Sequence, residues 1–109
     1  ILQNTNNYSD LIIFYGQNSI KNSKKLILKL DDDIKKILKS ATFIENRRWN
    51  IQLDNLILLK LPEKNIEEAI ENYKKISMNF SRMELYEIEN IDLRINKQAI
   101  IKYKGIKND

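Results

Sequence analysis

The stretch that decides the fold is RRWNIQLDNLILLKLPE, residues 47–63. Its first half alternates apolar with polar side chains, the period-two pattern of a strand that has one buried face. Its second half, residues 56–61, is apolar on nearly both faces, which indicates a strand in the middle of a sheet. Asp54-Asn55 between the halves favours a tight turn, because both residue types tolerate left-handed backbone conformations. We therefore predict an antiparallel hairpin whose first strand buries Trp49, Ile51 and Leu53.

Two further strands are predicted upstream of this hairpin. Leu11–Tyr15 has the composition of a short strand, and Gly16 ends it. Thr42–Ile44 is a candidate for another short strand that leads into the hairpin. The preceding segment, Asn4–Asp10, is polar and turn-forming.

A helical pattern extends from about Ser19 to Ser40. Asp31-Asp32-Asp33 interrupts the pattern, so that one kinked helix and two short helices fit equally well. In the second alternative Asp33 caps the second helix, with its carboxylate accepting a backbone N–H. The apolar residues spaced for one helix face are Leu26, Leu30, Ile34, Ile37, Leu38 and Ala41.

The clearest helix follows Pro62. Asn65 is placed to cap it, and Glu68 lies three residues later, close to a capping box. Acidic residues open this helix and Lys74-Lys75 close it, which matches the helix dipole. Its predicted buried stripe consists of Ile66, Ala69, Ile70, Tyr73, Ile76 and Phe80.

The last third of the chain predicts a strand, a turn and a second strand. Residues 91–95 alternate apolar with charged side chains, residues 96–98 form the turn, and residues 99–104 alternate again. Lysines on a terminal strand protect an exposed sheet edge against unplanned pairing. Gly105–Asp109 is a polar segment that follows the last predicted strand. Residues 82–89 carry no interpretable pattern.

Composition excludes several classes of function. The chain has 109 residues, a net charge of +4, no His and no Cys. Ser-His-Asp and Cys-His catalysis, disulfides and Cys-based zinc sites are therefore excluded. Two glycines cannot form a Gly-rich phosphate loop. The Asp31–Asp33 triplet lacks the spacing and the glycine of a calcium loop, so we interpret it as a helix junction. We expect no catalytic residue, no cofactor and no metal site.

Nucleic-acid binding is the alternative that the residues leave open. Arg47 and Arg48 can contact phosphate, and Trp49 can stack on a base, as in single-strand binders. However, Trp49 is in phase with the apolar positions of its strand, which favours a ring that faces the core. A third interpretation is a purely architectural domain.

The order of motifs resembles a known family. RRWNIQLDN, then LLKLPEKN, a helix, and IENIDLRINKQAIIKYKG are similar to the C-terminal half of the periplasmic β-domain of the FtsQ (DivIB) family of bacterial cell division proteins. The likeness is most specific over Arg47–Tyr103 and looser over DLIIFYGQN. Leu56 stands where the family commonly has a glycine. Because Leu is unfavourable at positive φ, we expect the turn to close on Asp54-Asn55 alone or to change type.

The resemblance implies a fold and a role. The fold is α+β, a mainly antiparallel sheet with two or three helices packed on it, and residues 1–109 form a single domain. A transmembrane helix and a POTRA domain are expected upstream, with this domain on the periplasmic side of the inner membrane. The implied role is a non-enzymatic scaffold in divisome and septum assembly that binds the FtsB–FtsL pair by adding a strand to its last strand. The implied partner-binding residues are Ile95, Ala99, Ile100, Ile101 and Tyr103, with core packing as the alternative role for Ile101 and Tyr103.

Overall fold

The fold of the chain is α+β, as predicted. A computed structural model describes residues 11–105, so the predicted segment Asn4–Asp10 and the exit beyond Gly105 lie outside the described residues. The described part is one six-stranded mixed sheet with four helices. In chain order the elements are β1 (Ile13–Tyr15), α1 (Ser19–Leu28), α2 (Asp32–Ile37), β2 (Leu38–Ile44), β3 (Arg48–Leu53), β4 (Leu58–Lys60), α3 (Ile66–Ser77), α4 (Arg82–Tyr86), β5 (Ile88–Asp92) and β6 (Ile100–Tyr103).

The strands lie side by side in the order in which they occur along the chain, from β1 to β6. Three of the pairings are antiparallel (β2–β3, β3–β4 and β5–β6), which confirms a mainly antiparallel sheet. The β1–β2 and β4–β5 pairings are parallel. A parallel pairing needs a crossover connection, and the helices lie in those two crossovers.

One row of apolar residues crosses the whole sheet. Its four inner members are completely buried, and its two outer members lie half-buried against the core. The opposite face of the sheet, which we call the open face, carries mostly polar side chains such as Asn50, Gln52 and Lys60. Helices therefore cover one face only. The row consists of Phe14, Ala41, Ile51, Leu59, Ile91 and Ile101, each paired with the next.

The β3–β4 hairpin forms as predicted, but its turn is longer than Asp54-Asn55. The N–H of Leu53 donates to the carbonyl of Ile57 at 3.1 Å, so the turn spans residues 54–56. Leu56 is the left-handed residue of this turn, with φ of 72°. The Asn55 side-chain oxygen accepts the N–H of Ile57 at 3.1 Å and braces the turn. The turn thus keeps the geometry usual for glycine although the residue is Leu.

The helical region before β2 consists of two helices. Asp31, not Asp33, caps the second one: its carboxylate accepts the N–H of Ile34 at 3.0 Å. Asp33 is inside α2, where its side chain cannot reach that N–H. Leu38 and Ala41 were predicted on a helix face but belong to β2, opposite Leu53 and Ile51. Both are buried there, because an irregularity in the β2–β3 register between Leu38 and Ser40 brings these residues, three apart, onto the same face of the sheet.

α3 confirms the predicted buried stripe but not the predicted cap. Asn65 has φ of 66°, and its side chain makes no capping hydrogen bond, because this backbone conformation directs it away from the helix N–H groups. A capping box is present instead at α4, between Ser81 and Glu84. α4 is a fourth helix that sequence reasoning missed, since it has no buried residue and hence no apolar periodicity. Of the predicted stripe, Ile76 is only half-buried, and Phe80, also half-buried, lies beyond the end of α3 at Ser77.

β5 begins and ends three residues earlier than the strand predicted at residues 91–95. It ends at Asp92, whose carboxylate accepts hydrogen bonds from the backbone N–H of Arg94 at 3.0 Å and from its Nη2 at 2.6 Å. These bonds turn the chain away from the strand direction. Leu93 is still buried, and its N–H donates to the carbonyl of Lys60 at 2.9 Å. Ile95 therefore lies in the β5–β6 loop and not on a strand.

Candidate protein-binding edge

β6 forms one edge of the sheet. It pairs with β5 on its inner side, and in residues 11–105 no strand pairs with its outer side. Every second residue of such a strand directs its N–H and C=O away from the sheet. An edge of this kind is a ready template for another strand.

The hydrogen bonds of the β5–β6 pair identify the outward backbone groups. The N–H of Lys104 donates to the carbonyl of Glu87 at 2.8 Å, so Lys104 faces β5. Because direction alternates along a strand, Lys102 also faces β5, whereas Ile101 and Tyr103 direct their N–H and C=O outward. A strand docked on this edge would therefore bond to Ile101 and Tyr103.

The side chains of the edge divide between the two faces. Ile101 is the half-buried end of the apolar row, and Tyr103, two residues later on the same face, is 52% exposed. Ile100 and Lys102 lie on the open face opposite Asp92 and Asn90, and Ile100 is 54% exposed. Ala99 is half-buried and packs against the core just before β6. Four of the five predicted residues, Ala99, Ile100, Ile101 and Tyr103, thus lie together on the edge.

The fifth predicted residue, Ile95, is 54% exposed in the β5–β6 loop and lines a groove. The groove lies between this loop and the first half of α3 and has a volume of about 570 Å³. Sequence reasoning missed it, because its two walls are some thirty residues apart and neither carries a distinctive motif. Other lining residues are Asn65, Glu68, Asn72, Leu93 and Arg94.

Two lysines at the β6 edge contact neighbouring side chains. Lys102 lies 3.8 Å from the Glu89 carboxylate, and the Lys104 ammonium lies 5.9 Å from the centre of the Tyr86 ring. In the loop, the hydrogen bond with Arg94 lowers the pKa of the Asp92 carboxyl below its ordinary value and raises that of the Arg94 guanidinium. This pair stays ionised at neutral pH and holds the start of the loop that carries Ile95.

The basic-aromatic group around Trp49 is not arranged as a stacking platform. Trp49 is 4% exposed, and its ring packs at 4.7 Å from that of Phe43 and at 6.0 Å from that of Phe14, measured between centroids. Arg48 donates to the Asn50 side-chain oxygen at 2.8 Å, and burial lowers the pKa of its guanidinium. Arg47 pairs with Glu45. Trp49 is therefore a core residue, as its phase in β3 predicted.

The aspartate triplet is a helix junction. Asp31 caps α2 and also pairs with the Lys74 ammonium of α3 at 2.5 Å, while Asp33 lies 3.7 Å from the same ammonium. In the part of the chain that the structure describes, no three acidic side chains converge as a metal site would require. Nor is any helix in residues 11–105 both long and apolar enough to cross a membrane.

Comparison with known proteins relates most of the chain to one family. The sequence model described as cell division protein FtsQ/DivIB, C-terminal, matches residues 1–94. A cell division protein FtsQ of Rhizobium radiobacter is 25% identical over 99 residues, which cover 89% of this chain and 47% of that protein. A second FtsQ, from Agrobacterium fabrum (strain C58 / ATCC 33970), is also 25% identical over 99 residues, covering 89% of this chain and 31% of that protein. The chain thus spans about half or a third of these relatives, and β6 lies just beyond the family match.

Proposed function

Because the chain belongs to the FtsQ/DivIB cell division family through its C-terminal domain, we propose that it is a non-enzymatic scaffold of the bacterial divisome. A scaffold works by holding other division proteins, so its working part is a surface and not a catalytic centre. The edge strand β6 is the surface that best fits this role.

The observation that carries the proposal is the outer side of β6. Ile101 and Tyr103 present backbone donors and acceptors that no residue in 11–105 satisfies, at the end of the apolar row that crosses the sheet. A strand added here extends both the hydrogen-bond ladder and the apolar row, which is how strand addition obtains affinity and specificity. The occupant we propose is FtsB, held in its pair with FtsL.

Side chains around the edge supply the contacts beyond the backbone. Tyr103 is a large, half-exposed aromatic on the row side, the type of residue that often dominates interface energy. Ile100 offers an apolar contact on the open face. Ile95 and its groove lie where the chain enters β6, so a partner longer than the strand has a concave surface on which to continue.

The cellular placement that we propose follows from the same family membership. The domain lies on the periplasmic side of the inner membrane, and a transmembrane helix and a POTRA domain precede it in the whole protein. The greater length of the two FtsQ relatives supports this arrangement. No observation on the described residues favours nucleic-acid binding over this role, since the Trp49 ring is buried.

Amide exchange tests the proposed docking mode directly. When the FtsB–FtsL periplasmic pair is titrated into the protein, we expect the N–H groups of Ile101 and Tyr103 to become slower to exchange. The N–H groups of Lys102 and Lys104 already face β5 and serve as internal controls that change little. Binding without added protection at Ile101 and Tyr103 would show that the partner uses another surface. Absence of binding would show that the FtsB–FtsL pair is not the partner of this edge.

A further inference from the structure

The β6 edge carries one charged side chain among apolar and aromatic neighbours. Along the strand, Lys102 is flanked by Ile100, Ile101 and Tyr103. It lies on the open face opposite Asn90 of β5, two residues from Ile100 on the same face. A lysine on a sheet edge discourages other strands from pairing there. This lysine lies in the middle of the surface proposed for a partner, so the partner has to accommodate its charge.

The fold itself makes little use of the Lys102 charge. Within residues 11–105 its ammonium has one ion-pair contact, to the Glu89 carboxylate at 3.8 Å. The two side chains are 66% and 50% exposed, and exposed ion pairs contribute little to stability. The Asp92 carboxylate of the same face is bonded to Arg94 instead. Lys102 can therefore turn its ammonium toward a docked strand with little loss of folding stability.

We propose that Lys102 determines which strand β6 accepts, and that the accepted strand carries an acidic side chain beside it. The inference rests on the proposed function, since it requires that a strand docks on β6. Side chains alternate between the two faces along a strand. Whichever way the added strand runs, one of its side chains therefore lies on the open face next to Lys102. An acidic residue there forms a favourable cross-strand pair with the ammonium, whereas a basic residue is repelled.

The neighbours of Lys102 define the rest of the partner's pattern. Ile101 and Tyr103 lie on the face that the helices cover and favour apolar side chains on the added strand. Ile100, 54% exposed, favours another apolar side chain on the open face. The partner residues beside positions 103, 102, 101 and 100 are thus apolar, acidic, apolar and apolar. A strand that is apolar throughout leaves the ammonium without a counter-charge, so Lys102 disfavours it.

Charge reversal at position 102 tests the proposal. We expect Lys102→Glu to weaken binding of the FtsB–FtsL periplasmic pair about fivefold to tenfold at low salt. The loss should be smaller at high salt, because salt screens exposed charges. Lys36→Glu is the matched control: it makes the same change in net charge at an exposed position of α2, and should leave binding nearly unchanged. Equal affinities of the parent protein and Lys102→Glu would overturn the proposal.

A compensating substitution in the partner identifies the acidic residue. The acidic residues of the FtsB segment that docks on β6 are changed to Lys one at a time, and each variant is titrated into Lys102→Glu. We expect one of them to restore most of the lost affinity while weakening binding to the parent protein. If none restores it, the proposal is wrong. Should Lys102→Glu be unstable beside Glu89, Lys102→Gln removes the charge alone, and the same acidic residue should then no longer contribute to affinity.

Amide exchange distinguishes failure of this inference from failure of the proposed function. If only the inference fails, the parent protein and Lys102→Glu bind equally well, and both show the added protection at Ile101 and Tyr103. If the docking mode fails, that protection is missing even in the parent protein. A pair that does not bind at all refutes the proposed function and this inference with it.

Discussion

The N–H of Leu56 donates to the carbonyl of Leu53 at 3.0 Å, in a turn that holds Leu56 in the left-handed region at φ of 72°. A side chain with a Cβ atom is strained there by about 1 kcal/mol, whereas glycine is not. Since Leu56 is also 61% exposed, replacing it removes little buried surface.

We therefore predict that Leu56→Gly stabilises the protein by a few tenths of a kcal/mol, about the difference left once the greater freedom of glycine in the unfolded chain is subtracted from the relieved strain. Urea unfolding measures the change. Leu56→Ala is the matched control, because it shortens the side chain but keeps the Cβ atom. A glycine variant no more stable than the alanine variant would show that the turn is not strained.

Tyr103→Ala tests the proposed anchor on β6. Because the ring is half-exposed, we expect its removal to leave the unfolding midpoint nearly unchanged. Binding of an FtsB peptide should weaken at least about tenfold, roughly 1.4 kcal/mol. Calorimetry measures the affinity, and Leu28→Ala on the exposed side of α1 is the control for a surface truncation elsewhere. A variant that fails to fold would instead identify Tyr103 as a core residue.

Proline substitutions on neighbouring residues separate the outward from the inward side of β6. Tyr103→Pro removes an N–H that points away from the sheet, whereas Lys102→Pro removes one that faces β5. We expect Tyr103→Pro to bind the FtsB peptide about tenfold more weakly than Tyr103→Val at similar stability. Lys102→Pro should cost at least about 1 kcal/mol of folding stability. Equal affinities of the Pro and Val variants at position 103 would rule out strand addition at that N–H.

The ion pair that joins the start of α2 to α3 predicts that the stability of the protein depends on pH. The hydrogen bond from Lys74, together with the N–H of Ile34, lowers the pKa of the Asp31 carboxyl below its ordinary value. A lowered pKa in the folded state means that this stabilisation is present above the unfolded-state pKa. It is lost as the pH falls through the folded-state pKa. Stability should accordingly decrease on the acid side, below about pH 4.

Two substitutions separate the ion pair from the cap. Asp31→Asn keeps a capping side chain but removes the charge, so the acid decrease in stability should become shallower while stability at pH 7 falls only slightly. Asp31→Ala removes the cap as well and should cost about 1 kcal/mol more. Thermal unfolding measured from about pH 3 to about pH 7, an interval that includes the titration of Asp, tests both expectations. If the stability of the Asn variant decreases with acid as steeply as that of the parent protein, the group that titrates is not Asp31.

The parts of the fold that the sequence predicts are those in which one local pattern determines the outcome. Strict alternation at Trp49, Ile51 and Leu53 allows only a half-buried strand, and the stripe of α3 allows only an amphipathic helix. The prediction for Leu38 and Ala41 is wrong because their spacing of three residues is that of a helix face, and they share a face of β2 only through a register shift that no local pattern indicates.

The candidate site was also predictable only where a local sequence pattern determines the structure. The alternation in residues 99–103 correctly indicated which residues share a face of β6. The end of β5 was not predictable, because it depends on the bonds between Asp92 and Arg94, which move Ile95 off the strand. The groove beside Ile95 depends on how α3 crosses the sheet, a relationship between distant segments that no local pattern encodes.

The sequential strand order has a mechanical consequence. Neighbouring strands are about 4.8 Å apart, so β1 and β6 lie at opposite margins of a sheet roughly 24 Å wide. β1 is the first described strand and lies at one margin, and the proposed docking strand lies at the other. The sheet then acts as a stiff spacer that holds a partner bound at β6 at a set distance from β1.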